Sequence, residues 1–146
     1  MKELVISIIS LVIGYFISKF LQRYTEKRAR TIERFEKLYS PFEKMIWINT
    51  HGAFNFSDLE PELQKQFFEL LFNNYEYADA ELKELLMRFK WEYDCPGGNI
   101  EDANKFFFMI ECRISVVFNV LSKKLFLEPY NIKYASKIIK KFDKIS

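Results

Sequence analysis

Residues 4–21 read LVISIISLVIGYFISKFL, and the reading of the whole chain turns on them. Lys19 is the one charge in that run, and the other polar groups are few: Ser7, Ser10, Ser18 and the Tyr15 hydroxyl. As a helix rising 1.5 Å per residue it would extend about 27 Å, close to the hydrocarbon thickness of a bilayer. A helix on the surface of a globular core shows a polar face over such a length, and this one shows none before Gln22. The expectation is a single amino-terminal transmembrane helix, residues 1–21, that continues as a juxtamembrane helix over 22–39. A helical domain of about five further helices follows over 40–146, so the fold class expected is all-α.

Charge sets the expected orientation. Only Lys2 and Glu3 precede the run, whereas Lys19, Arg23, Lys27, Arg28, Arg30 and Arg34 end or follow it. Basic residues within about 15–20 residues of a span stay in the cytoplasm, which places the amino terminus outside and the domain inside. Lys19-Phe20-Leu21-Gln22-Arg23 offers no small-residue cleavage site, so an uncleaved, single-pass cell-membrane anchor is expected rather than a signal peptide. Ser7, Ser10, Gly14 and Ser18 recur at offsets of 3, 4 and 4 on one helical face, a spacing that lets two backbones approach in a membrane. They are the candidate self-association face, with a homo-oligomer as the implied assembly.

Beyond the anchor, four glycines and four prolines in 146 residues suit long helices with few turns, and sixteen Phe and eight Tyr supply either a core or a binding surface. Residues 1–40 carry a net charge of +4, residues 41–111 of −8 and residues 112–146 of +6. Two basic ends therefore bracket an acidic middle. Cys95 and Cys112 form no C-x-x-C motif, and a cytoplasmic domain would keep both reduced.

Ser40-Pro41-Phe42-Glu43 reads as a helix start with a capping-box glutamate, opening a short buried helix over 41–49. Residues 50–56 read as a loop. Ser57-Asp58-Leu59-Glu60 reads as a second capping box, Asn73-Asn74 as a break, and residues 75–93 as an amphipathic helix with Tyr75, Ala78, Leu82, Leu85, Leu86 and Phe89 on its inner face. Residues 94–99 form the clearest turn, with Asn99 capping a long central helix along Ala103, Phe107, Ile110, Ile114, Val117 and Leu121. Glu128-Pro129 would end that helix and begin the last, whose stripe of Ile132, Ala135, Ile139 and Phe142 opposes Lys133, Lys137, Lys140, Lys141 and Lys144.

No catalytic constellation emerges. His51, the single histidine, sits in a loop without a nucleophile motif, and Glu76, Asp79, Glu81 and Glu84 read mainly as a solvated helix face. Pro96-Gly97-Gly98 lacks the Lys-Ser/Thr of a phosphate loop. No catalytic residue, metal site or cofactor is expected. The five lysines of the last helix are candidates for contact with membrane lipid or a protein partner, in preference to nucleic acid. The function expected is a membrane-anchored adaptor or inhibitor that captures a protein partner, in a bacterial or phage setting such as exclusion or immunity. The alternative is a structural membrane component that assembles through its transmembrane helix.

Overall fold

In the computed structural model, residues 2–49 and 55–127 are described, with side chains from residue 10 onward. Among the described residues the chain is all-helical and has no strand. Five α-helices follow one another: α1 (Lys2–Arg34), α2 (Ser40–Asn49), α3 (Pro61–Asn73), α4 (Ala80–Asp94) and α5 (Ile100–Lys124). The π turn Phe35–Tyr39 joins α1 to α2, and short 3-10 turns, Phe56–Asp58 and Tyr75–Tyr77, precede α3 and α4. The chain divides into two compact units, residues 1–32 and residues 33–146.

The first unit is the greater part of α1. Every side chain from residue 10 to residue 30 is exposed, including Leu11 and Phe20 at 72% and Phe16 at 66%. Among the described residues no helix is long and apolar enough to cross a membrane. Of the expected span, residues 10–21 have described side chains. The side chains of residues 4–9, the other part of the expected span, lie outside those described.

The second unit is built on the hairpin of α4 and α5. Asn99 Oδ1 accepts the Glu101 N–H at 2.9 Å and so caps α5 as its sequence implies. The turn before it is very tight. Gly97 has φ +98, and a Cβ on Gly98 would lie 2.3 Å from the Glu92 carbonyl oxygen, so glycine is required at both positions. Phe107 on α5 stands at the centre of the core, its ring within 4.6–6.1 Å of Phe42, Phe56, Phe67 and Phe89. All five rings are buried, which assigns much of the aromatic load to packing.

Two expected starts fall elsewhere, and a third comes without its expected break. α2 begins at Ser40 as the sequence implies, but Ser40 is helical rather than a cap: backbone bonding passes through the π turn, where the Ser40 N–H reaches back five residues to the Phe35 carbonyl. Proline lacks an N–H, and in an unbroken α-helix its ring collides with the carbonyl four residues earlier; a widened turn just before Pro41 relieves that collision. Ser57 does not cap α3, which begins at Pro61 with no side-chain cap. Its N–H instead donates to Asn104 Oδ1 at 3.0 Å while its Oγ accepts from Asn104 Nδ2 at 2.9 Å, pinning the preceding turn to α5. The helix expected from Tyr75 begins only at Ala80, because Asp79 Oδ1 accepts the Leu82 N–H and holds the helix start there.

α5 ends in a Schellman motif. The Phe126 N–H donates to the Lys123 carbonyl at 3.2 Å and the Leu127 N–H to the Ser122 carbonyl at 2.9 Å. Phe126, at φ 59, occupies the left-handed position usually given to glycine, and its ring is 88% exposed. The last helix expected, residues 129–146, lies outside the described residues.

Candidate functional site

The polar chemistry of the second unit gathers where α2 meets α5. The apolar positions of α2, Phe42 and Ile46, turn into the core. Glu43 follows Phe42 and faces α5 rather than solvent. Ser115 on α5 donates a short hydrogen bond from its hydroxyl to Glu43 Oε1. Burial pushes the Glu43 carboxyl above its ordinary range, against the hydrogen bonds from Ser115 and Trp47. One turn before Ser115, Glu111 is pushed up to about 7, chiefly by burial and then by the charge of Glu43. Burial, with Glu111 beside it, pushes the Cys112 thiol up to about 12, so at neutral pH it is a protonated thiol and a poor nucleophile.

A cleft of about 240 Å³ opens on this cluster, lined by Ser40, Glu43, Lys44, Trp47, Ile48 and Phe118. Trp47 is 45% and Ile48 63% exposed, so the rim is apolar and the floor carries a carboxyl group. Phe118 is held by stacking on Phe35 of the π turn, with ring centres 5.1 Å apart.

Two further clusters have structural work. Arg113 reaches Asp79 at 3.0 Å and Glu81 at 2.6 Å, tying the start of α4 to the middle of α5. Asp79, read in the sequence as part of a solvated face, is thus both cap and ion-pair partner, whereas Glu84 does stay on the surface and pairs with Arg88. Arg34 donates to the Tyr77 carbonyl at 2.9 Å and to the Tyr39 hydroxyl at 3.2 Å. The wider π turn brings residues five apart into register, so the buried Tyr39 finds its partner in Arg34.

Of the residues singled out in the sequence, Ser10, Gly14 and Ser18 are exposed on α1, and nothing stands within 4 Å of where a Gly14 Cβ would be. The side chain of Ser7, His51 and the five lysines Lys133, Lys137, Lys140, Lys141 and Lys144 lie outside the described residues. Cys95 and Cys112 are free thiols. Among the described residues no three potential metal ligands come together. The sequence reading did not single out Glu43, Glu111 and Ser115 as a group. Only the spacing of Glu111 and Ser115 by one helical turn could have marked them. Comparison with protein-family models, with curated proteins and with solved structures finds no match to this chain.

Proposed function

We propose that the chain is a membrane-anchored module whose helical domain, on the cytoplasmic side, acts by binding a protein partner rather than by catalysis. The observation that carries this reading is the apolar surface of α1: Leu11, Val12, Ile13, Phe16, Ile17, Phe20 and Leu21 are all exposed. In the sequence this surface continues back through Leu4, Val5, Ile6, Ile8 and Ile9 and ends in Arg23, Lys27, Arg28 and Arg30. A bilayer would cover the one and retain the other. The cleft beside Trp47, Ile48 and Phe118 is of a size to take one or two apolar side chains of a partner, and Glu43 at its floor adds a polar contact. The raised Cys112 thiol argues against nucleophilic chemistry there.

The test is location and capture together. The full chain should stay with membranes through an alkaline carbonate wash, and a reporter fused after Ser146 should read cytoplasmic. Release by carbonate, or a reporter active outside, overturns the anchor. Capture of a partner from detergent-solubilised membranes should be lost in Trp47→Ala with the fold intact. A second reading, assembly through Ser7, Ser10, Gly14 and Ser18, is favoured by the open space at Gly14. Gly14→Ile should then weaken crosslinking between copies and leave partner capture unchanged.

A further inference from the structure

The cleft between α2 and α5 is walled by rings and floored by a carboxyl group. Trp47 and Ile48 form its exposed rim, Phe118 adds a ring from α5, and Glu43 lies at the bottom. Stacking on Phe35 holds Phe118 in place. A carboxylate offers about four lone-pair directions to donors. Glu43 receives hydrogen bonds from the Ser115 hydroxyl and the Trp47 side chain, and neither donor carries charge. Glu111 lies close enough to feel the charge of Glu43, so a second acid backs the first. Elsewhere in the same unit a partly buried acid has its cation: Asp79 pairs with Arg113. Among the described residues no Lys or Arg stands within ion-pair distance of Glu43 or Glu111. Lys44 lines the same cleft, but its side chain is exposed and pairs with neither acid.

These walls select a guest by chemistry. The apolar rim would accept any aliphatic stem, and the carboxyl at the floor singles out a stem that ends in positive charge. Aromatic faces attract a cation through their quadrupole, Trp most strongly. The surrounding chain has the matching sign: residues 41–111 carry a net charge of −8, which draws a basic segment toward the domain before contact.

We propose that the cleft of Glu43, Trp47, Ile48 and Phe118 takes an arginine or lysine side chain from a basic segment of the protein partner. This rests on the partner-binding reading above and adds to it the chemistry of the residue captured. The stem lies along Trp47 and Ile48, the head reaches the Glu43 carboxylate, and the Phe118 ring flanks it. A positive head there also offsets the burial that opposes the charge of Glu43.

A pair of probes separates charge from shape: N-acetyl-arginine methylamide and its citrulline counterpart, which has nearly the same outline and no charge. Each is titrated into the full chain in detergent with Trp91→Phe, so that fluorescence reports Trp47 alone. The arginine probe should shift Trp47 emission with a midpoint about tenfold or more below that of the citrulline probe, and Glu43→Gln should abolish the difference. Equal midpoints, no response to either probe at tens of millimolar, or an undiminished difference in Glu43→Gln overturns the proposal. An N-acetyl-norleucine methylamide midpoint as low as that of the arginine probe marks an aliphatic guest and overturns it too. So does an arginine midpoint that rises with protein concentration, which marks a second copy of the chain in the cleft. The comparison of probes at the native cleft does not depend on how Glu43→Gln folds. Partner binding fails separately, if Trp47→Ala still captures the partner. If Trp47→Ala loses capture while the probes do not differ, partner binding stands and its contact here is not basic.

Discussion

Glu111 is the residue whose environment most opposes its charge. Its carboxyl titrates near 7 in the folded chain against an ordinary value of 4.5, so between those values the folded state holds a proton that the unfolded state has lost. Stability therefore falls as pH rises from about 4.5 to about 7 and is level above. The interval is worth about 3 kcal/mol at full burial, and partial exposure reduces it to about 1–2 kcal/mol. Glu111→Gln should accordingly be more stable than wild type at pH 8, by that amount, and indistinguishable at pH 4, as denaturant melts at the two pH values would measure. Gly98 gives the opposite case, a residue that tolerates nothing larger. Its Cβ would strike backbone rather than a movable side chain, so Gly98→Ala should cost about 2–4 kcal/mol and lower the thermal midpoint.

At the scale of elements, the instructive comparison is between two caps. Asn99 was legible because a polar cap directly precedes a long apolar stripe and no rival position lies nearby. Asp79 was not, because the apolar period runs on backward through Ala78 and Tyr75 and conceals the true helix start. A one-dimensional pattern also cannot show that Arg113, 34 residues away, will arrive beside it. The same blindness hid the α2–α5 site: Glu43 has the sequence position of a capping-box partner, and only the packing of Phe42 and Ile46 turns it toward Ser115. What could be read was period and punctuation; what could not was pairing between distant elements. Asp79 also permits a clean dissection. Asparagine caps as well as aspartate but carries no charge, so Asp79→Asn should lose only the ion pair and Asp79→Ala both functions. Thermal melts should place Asp79→Ala about 1 kcal/mol below Asp79→Asn, with the gap unaffected by salt and the loss in Asp79→Asn shrinking as salt is raised.

For the whole molecule, the second unit draws its cohesion from rings rather than from aliphatic layers. Phe107 touches Phe56 from the turn before α3, Phe67 from α3, Phe89 from α4 and Phe42 from α2, so one side chain joins four segments that are distant in sequence. Phe107→Ala should cost about 3–5 kcal/mol and broaden the unfolding transition, since the segments lose their common contact. Phe107→Leu keeps much of the volume and should cost about half as much. The π turn has a consequence of another kind. A widened turn holds one residue more than a regular α-helix needs. Removing one residue between Phe35 and Leu38 would restore regular winding and leave the helix intact by circular dichroism. Arg34 and Tyr39 would then stand four residues apart, the spacing that shares a face in an α-helix, so their contact should outlast the deletion. A change of length would thus do here what it rarely does in a helix: shorten the chain and keep the phase.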